Sequence, residues 1–243
     1  MKITAYSVRS VAEVLRDNST LTCLDFLGNK VGVGGARLIA ESLKFNATLQ
    51  YLNISRNNIR APGAHFLSEA LKVNSMLAIL DVSQNALGAR GAQLLSEGLG
   101  INASLTQLDL SRNCMGAAGA EWIAEALKVN AVLKNVNLSA NVIGDAGSKS
   151  LAEALKANTT LINLDLSENS IQTAGAQDFA EVRKCNNTLQ SVNFSNNSIG
   201  DLGRQALSDA GCQMVPLPQI FLKVNLVLPR SGTTEFASKR TKN

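Results

Sequence analysis

A nine-residue pattern recurs along this 243-residue chain every 28 residues, with no insertion between its copies. Each copy has the form L-x-x-L-x-L-x-x-N, with Leu, Ile, Val or Phe at the apolar places. A fixed period of about 20–50 residues predicts a solenoid, because one unit cannot bury its apolar face alone and must stack on its neighbours. Seven copies begin at Leu21, Leu49, Leu77, Leu105, Leu133, Leu161 and Leu189.

One complete repeat, residues 105–132, is predicted to contain one strand and one helix. Leu105, Leu108 and Leu110 alternate with other residues, which predicts a strand with one buried face. The turn MGAAG follows, and then AEWIAEALKVN, in which Ile123 and Leu127 lie at helical spacing. Successive strands must be parallel, because a helix connects each strand to the next. The sequence therefore predicts an α/β solenoid, with a curved parallel sheet on the concave side and helices on the convex side.

The pattern ends in Asn, although Asn is a poor strand residue. After each strand the chain must bend away from the sheet, which leaves backbone N–H and C=O groups inside the array without ladder partners. An orphaned buried group costs roughly 1–3 kcal/mol, and a primary amide can both donate and accept. We therefore expect a structural ladder inside the solenoid, formed by Asn29, Asn57, Asn85, Asn113, Asn141, Asn169 and Asn197.

Two further columns of the repeat carry structural predictions. A Gly recurs in every copy at the phase of Gly119, which indicates either a special backbone conformation or close packing at the helix start. An Asn also ends each helical stretch, and Asn just past a helix commonly adopts the left-handed conformation as a cap. We therefore expect left-handed caps at Asn18, Asn46, Asn74, Asn102, Asn130, Asn158 and Asn186.

The repeat resembles the leucine-rich-repeat signature, and its long form LxxLDLSxNxIGxxGAxxLAEALKxN resembles the 28-residue ribonuclease-inhibitor-like subclass. The resemblance covers about residues 7–211. The same subclass occurs in NOD-like receptors and in Ran GTPase-activating proteins, and its horseshoes mostly bind other proteins on the concave sheet and adjoining loops. The resemblance thus implies a protein-binding scaffold, but a fold by itself does not name a partner.

The strand positions that vary between repeats are the candidate partner contacts. The fifth position is always Asp or Asn and the seventh is almost always Ser, so we interpret both columns as structural. The third and eighth positions vary and should face the concave solvent side. Tyr and Arg are favoured interface anchors, and Ile adds an apolar contact. The predicted partner-binding residues are Tyr51, Arg56, Ile79, Gln84, Gln107, Arg112, Asn135 and Glu168.

Charge and cysteine usage exclude several classes of function. Residues 216–243 carry five basic side chains and one acidic side chain, whereas residues 1–215 carry 18 of each sign. A neutral solenoid lacks the basic patch of a nucleic-acid binder, so we expect no nucleic-acid partner. The four cysteines share no paired spacing, and the Asp/Asn column lacks a clustered ligand set, so we expect no metal and no cofactor. With no apolar run of membrane-spanning length, we expect no membrane partner and a cytoplasmic or nuclear location.

The two ends of the chain depart from the regular repeat. We predict a solenoid over residues 1–215, with about seven repeats and an N-terminal partial repeat, and a degenerate capping segment with a flexible basic tail over residues 216–243. Arg183 occupies a helix position that is Leu in the other repeats, so either Val182 turns inward there or regular packing ends. Because no dedicated cap precedes residue 7, we expect end-to-end association or a missing neighbouring domain.

The catalytic inventory of the sequence is small. His65 is the only histidine, and its place beside a helix start favours a surface or capping role. The chain has no Walker motif, and the glycines of VGVGGARL fall at the ordinary turn phase. We therefore predict a non-enzymatic protein-interaction scaffold with no small-molecule substrate. The alternatives implied by the resemblance are an activator of a Ran-type small GTPase and the sensor segment of a NOD-like receptor.

Overall fold

The structure, a computed structural model, describes residues 5–211. Strands and helices alternate strictly over this range, which confirms the predicted α/β solenoid. The predicted capping segment and basic tail, residues 216–243, lie outside the described residues, as does Cys212. The elements are α1 Ala5–Asp17, β1 Cys23–Asp25, α2 Gly32–Leu43, β2 Tyr51–Asn53, α3 Arg60–Leu71, β3 Ile79–Asp81, α4 Gly88–Ile101, β4 Gln107–Asp109, α5 Gly116–Val129, β5 Asn135–Asn137, α6 Gly144–Ala157, β6 Asn163–Asp165, α7 Thr173–Cys185, β7 Ser191–Asn193 and α8 Asp201–Asp209.

The strands form one parallel sheet in chain order, from β1 to β7. Each strand residue pairs with the residue at the same phase of the next repeat, as Leu52 does with Leu80. The strands are only three residues long, shorter than the alternating run, because the chain bends at the closing Asn. Ladder-type bonds nevertheless continue past the strand: the N–H of Gly28 donates to the carbonyl of Ser55 at 3.0 Å.

The core lies between the sheet and the helices. In the repeat that begins at Leu105, the strand residue Leu108 and the helix residues Ile123 and Leu127 are all buried. Packed helices need about 8–10 Å each, whereas neighbouring strands need only about 4.8 Å. The array must therefore curve with the strands inside, which places the exposed face of the sheet on the concave side.

The helices serve as the outer layer of the solenoid. α1 occupies the predicted partial repeat, and its Val8, Ala12 and Leu15 are buried against α2 and the sheet layer of the first repeat. The helices have between 9 and 14 residues. Within residues 5–211, none of them is long and apolar enough to cross a membrane.

The Asn ladder has the predicted structural role. The Oδ1 of Asn113 accepts from the backbone N–H of Asn85 at 2.8 Å and of Leu87 at 3.3 Å. Its Nδ2 donates to the carbonyls of Val82 at 3.0 Å and Leu110 at 2.9 Å. The side chain therefore joins one repeat to the preceding one, and it is completely buried. The ladder prediction is confirmed.

The asparagines at the helix ends adopt a different conformation from the predicted one. Asn102 has φ −62° and ψ 132°, an extended backbone, and none of the seven helix-end asparagines has a positive φ. The Oδ1 of Asn102 accepts from the N–H of Leu105 at 2.7 Å, and its Nδ2 donates to the carbonyl of Leu71 at 2.8 Å. The left-handed caps were wrong, because the amide reaches the preceding repeat instead. The helix ends thus form a second Asn ladder.

The recurrent glycine at each helix start is required by close packing. A Cβ on Gly119 would lie 2.5 Å from the Cβ of Met115 and 3.3 Å from the Cβ of Ala92. Its φ is not positive; the left-handed glycine of this turn is Gly116, with φ +63°. Of the two readings of this column, close approach between neighbouring repeats is therefore the observed one.

Two helix glycines should respond oppositely to replacement by alanine. A Cβ on Gly98 would lie 2.5 Å from the backbone oxygen of Ser68, whereas a Cβ on Gly34 would meet nothing within 4 Å. We expect Gly98→Ala to lower the free energy of unfolding by about 2 kcal/mol, because α3 and α4 must separate. Gly34→Ala should raise it by about 0.5–1 kcal/mol through helix propensity. Urea denaturation of both variants tests the pair, and equal effects would contradict it.

The last complete repeat accommodates Arg183 without ending the array. Val182 is 1% exposed, and the Nη1 of Arg183 donates to the carbonyl of Leu189 at 2.8 Å. Phe179 and Phe194 meet edge to face at 5.2 Å between ring centroids, in the core beside this guanidinium. Of the two predicted outcomes, an inward Val182 is therefore the observed one, and the charge is paired with a backbone carbonyl.

Candidate functional site

The concave face is built from alternate strand positions. The fourth and sixth positions, such as Leu108 and Leu110, are buried beneath the sheet. The third and fifth positions therefore point to the opposite, concave side. The sheet is open on this side, since the helices cover only its other face. Side chains from successive strands stand next to each other here, one repeat apart.

The fifth position is structural, as predicted. In β4, the Oδ1 of Asp109 accepts from the backbone N–H of Ser111 at 2.8 Å, which holds the chain as it leaves the strand. The same bond from the residue two places on recurs in all seven strands. Asn137, in the next strand, also donates to the Oδ2 of Asp109 at 2.9 Å. An amide or a carboxylate is thus needed at this position.

Two of these carboxyl groups stand side by side on neighbouring strands. Asp81 pairs in register with Asp109 across β3 and β4. Burial, followed by the charge of Asp81, raises the pKa of Asp109 to about 6. Burial also raises the pKa of Asp81. Burial, and then the charges of Asp25 and Asp81, raise the pKa of Tyr51. The concave floor of the first four repeats is therefore acidic, and it holds its protons more tightly than free carboxyl groups do.

The eighth position places its side chains on the rim of the concave face. Arg56, Gln84, Arg112 and Glu168 have φ values between 54° and 58°, because the chain turns sharply after each strand. Non-glycine residues adopt this left-handed region rarely, and here the bend fixes it in successive repeats. The four side chains are consequently presented in a row by a defined backbone.

The rim side chains interact with each other. The Nε of Arg56 donates to the Oε1 of Gln84 at 2.8 Å. The Nη2 of Arg112 lies 3.3 Å from the Oε2 of Glu168, two repeats away, with the small Ala140 between them in the column. Such an exposed ion pair contributes at most about 1 kcal/mol and exchanges readily for a partner's charge. The predicted rim residues are therefore brought together and remain available.

The third position forms a second row on the concave floor. Tyr51 pairs in register with Ile79, which pairs with Gln107 in the next strand, and all three are partly exposed. Asn135 continues the row but is only 9% exposed, and its Oδ1 accepts from Asn163 at 2.6 Å. The prediction of Asn135 as a partner contact was wrong, because the neighbouring strand covers it and occupies its amide.

Sequence reasoning did not single out the Asp81–Asp109 pair. Their column alternates irregularly between Asp and Asn, and the fifth position was interpreted as structural throughout. Adjacent Asp residues at one phase of two consecutive repeats were the available signal, since a parallel register brings equal phases together. Within residues 5–211, no group of three His, Cys, Asp or Glu side chains is arranged to hold a metal ion.

Comparison with known proteins gives one family and several similar folds. A family model described as "Leucine Rich repeat" matches residues 17–40, 45–68, 73–96, 102–124, 129–152, 157–180 and 185–208. A search of curated proteins found no significant match.

Three solved structures illustrate the likeness of the fold. Leiomodin-1 actin-binding site 2 is 19% identical, with a TM-score of 0.50, and the match covers 55% of this chain and 78% of that one. The leucine-rich repeat-containing protein LegL7 from Legionella pneumophila is 16% identical, with a TM-score of 0.50, over 82% of this chain and 74% of that one. The tropomodulin C-terminal domain from Caenorhabditis elegans is 17% identical, with a TM-score of 0.44, over 72% of this chain and 90% of that one. At these identities the likeness concerns the fold alone.

The family match and the fold coincide repeat by repeat. Each matched segment begins near the end of one helix, includes one strand and its closing Asn, and extends into the next helix. The seven segments together cover more than half of the chain. This chain therefore belongs to the leucine-rich-repeat family, with repeats of the ribonuclease-inhibitor-like length.

Proposed function

We propose that this protein is a non-enzymatic scaffold that binds a protein partner over β2–β4 of its concave face. The observation that carries the proposal is the side-by-side arrangement of two rows. Tyr51, Ile79 and Gln107 form an amphipathic floor, and Arg56 and Arg112 stand on the rim beside it. Aromatic and arginine side chains held next to each other on a rigid backbone are typical of interface anchors.

The position of the only histidine supports a binding role over catalysis. His65 lies on α3, on the helical side of the array, and is exposed. It therefore lies on the opposite side of the sheet from the acidic floor at Asp81 and Asp109. A histidine-dependent general base cannot act together with those carboxyl groups, because acid–base partners must lie within hydrogen-bond reach.

The mutual pairing of the rim charges also favours a binding surface. Arg112 and Glu168 are about half exposed and neutralise each other in the free protein. A partner that offers a carboxylate to Arg112 can replace Glu168 at little cost, since the pair is already solvated. The concave face thus offers separate acidic and basic contacts, and both signs of charge favour a protein over a nucleic acid.

The test uses a concave variant and a matched variant of the helical side. We expect Tyr51→Ala/Arg56→Ala to weaken capture of at least one native protein by about tenfold or more, because two anchors are removed from one surface. His65→Ala/Arg37→Ala, at exposed positions on the helices, should retain that protein. Quantitative mass spectrometry of proteins captured by the full chain measures both, and circular dichroism checks folding. Identical captured sets for the three chains would contradict the proposed site.

A further inference from the structure

A line of exposed apolar side chains runs across four consecutive repeats, away from the concave face. Phe45, Val73, Ile101 and Val129 share one phase of the repeat, at or just after the C-terminal ends of α2–α5. They are 61%, 61%, 63% and 67% exposed, respectively. These four residues are called the apolar strip below. Exposed apolar side chains are ordinary when scattered, but a contiguous patch marks an interaction site.

The fold does not require large apolar side chains at this phase. The residue is Asp17 at the end of α1, Ala157 at the end of α6 and Cys185 at the end of α7. The core-facing positions of the same helices are filled by other residues, such as Leu99 and Leu127. Because the strip is confined to the middle repeats and contributes little to the core, stability alone does not account for it.

The strip is continuous between neighbouring repeats. A Cβ on Gly100 would lie 3.3 Å from the Cγ2 of Val129, so the last turn of α4 lies in van der Waals range of the strip residue of α5. At the first end of the strip, the guanidinium carbon of Arg16 lies 4.2 Å from the ring centroid of Phe45. The strip therefore has a cationic border at its start and no gap between its last two members.

The two flanks of the strip differ in charge. Lys44, Lys72 and Lys128 immediately precede three of the four strip residues. Lys72 contacts Glu69 at 2.6 Å and Glu97 at 3.3 Å, and these pairs lie on the helix side of the strip. On the loop side, two residues further along, stand small, uncharged and exposed residues: Ala47, Ser75, Ala103 and Ala131. A complementary partner thus needs an apolar seam with acidic residues along one side only.

The dimensions of the strip favour a single rod-shaped element. Four side chains exposed by about two thirds present on the order of 300–400 Å² of apolar surface, well below the roughly 800 Å² per partner of a stable protein dimer. The strip is one side chain wide and spans three steps between repeats. Helices pack about 8–10 Å apart, and seven residues of a helix rise about 10.5 Å. A helix with one apolar residue per heptad therefore matches one strip residue per repeat.

We propose that the apolar strip binds an amphipathic helix of a partner protein, with an apolar residue at about every seventh position and carboxylates on the flank that faces the lysines. Such a helix needs about 20 residues to contact all four repeats. It lies along the helix ends, so it leaves the concave face open to a different partner. The inference therefore does not depend on the function proposed for the concave face.

The test uses designed helices with the full-length chain. The first probe is a fluorescein-labelled peptide of about 24 residues, with Leu at every seventh position and Glu along one flank. The second probe has Lys in place of Glu, and the third is a scrambled peptide of the same composition as the first. Fluorescence anisotropy measures binding to the unmodified chain, to Val73→Ser/Ile101→Ser and to Val14→Ser. Val14 is the matched control, because it is 66% exposed but lies outside the strip.

We expect the first probe to bind the unmodified chain and Val14→Ser equally, and Val73→Ser/Ile101→Ser at least about tenfold more weakly. The lysine probe and the scrambled probe should both bind at least about fivefold more weakly than the first. No saturable binding of the first probe up to about 1 mM, or equal binding of all three probes, would overturn the proposal. Reversible dimerisation in analytical ultracentrifugation that is lost in Val73→Ser/Ile101→Ser would assign the strip to a second copy of the chain instead.

Discussion

Replacing Asn113 with alanine should lower the free energy of unfolding by about 4–6 kcal/mol. The change removes the acceptor for the N–H groups of Asn85 and Leu87 and the donor for three carbonyls, of Val82, Leu110 and Ser111. Each buried group left without a partner costs roughly 1–3 kcal/mol, and alanine also leaves a cavity. Because these groups belong to two neighbouring repeats, the loss falls on the interface that holds the array together.

Urea denaturation followed by circular dichroism measures this effect. The matched control is Asn187→Ala, which removes the same amide from an exposed position and should change the free energy of unfolding by less than about 0.5 kcal/mol. Asn29 and Asn197 stand at the two ends of the ladder and are only partly buried, so their replacement should cost less than that of Asn113. A loss below about 2 kcal/mol for Asn113→Ala would mean that water replaces the amide, and the ladder would then lose its assigned role.

The features that the sequence made predictable are those that depend on a single phase of the repeat. The parallel sheet follows from helical crossovers, and the buried Asn ladder follows from the bend after each strand. Both recur in every copy, so any one repeat carries the argument. The close packing at Gly119 was one of two options because a glycine letter does not distinguish a positive φ from a short contact, and only the distance to Ala92 decides between them.

The features that could not be predicted depend on contacts between repeats. Asn102 was expected to be left-handed, but its amide reaches the carbonyl of Leu71 in the preceding repeat, which requires an extended backbone. Asn135 was expected to be exposed, but Asn163 in the following strand covers it. The ion pair between Arg112 and Glu168 spans two repeats and depends on the small side chain between them. A column read alone gives the direction of a side chain but not its neighbours.

The acidic floor of the concave face should make the protein more stable at mildly acidic pH. The pKa of Asp109 is about 6 in the folded chain and 3.8 for the unperturbed group. The folded state therefore binds the proton more tightly, and its contribution to stability is fully present below pH 3.8 and is lost as the pH rises through 6. A difference of about two pKa units corresponds to roughly 3 kcal/mol. We expect the free energy of unfolding to fall by about that amount between pH 4 and pH 7, beyond the change caused by other groups.

Two variants isolate this contribution by the slope of stability against pH. Asp109→Asn removes the titrating group, so its curve should be flatter than that of the unmodified chain by roughly 3 kcal/mol over this range. Its absolute stability is a less useful measure, because Asn137 loses the carboxylate to which it donates. Asp81→Asn removes the neighbouring charge that helps raise the pKa of Asp109, so the slope should decrease by a smaller amount.

The control for both variants is Asp201→Asn, at an exposed residue in the first turn of α8, which should retain the slope of the unmodified chain. Urea denaturation at closely spaced pH values, followed by the fluorescence of Trp122, the only tryptophan, measures all four curves. Parallel curves for the unmodified chain and Asp109→Asn would show that Asp109 titrates normally. Since an arginine or lysine from a partner would favour the ionised carboxylates, the same titration repeated with a bound partner should show the slope decrease if that partner covers the acidic floor.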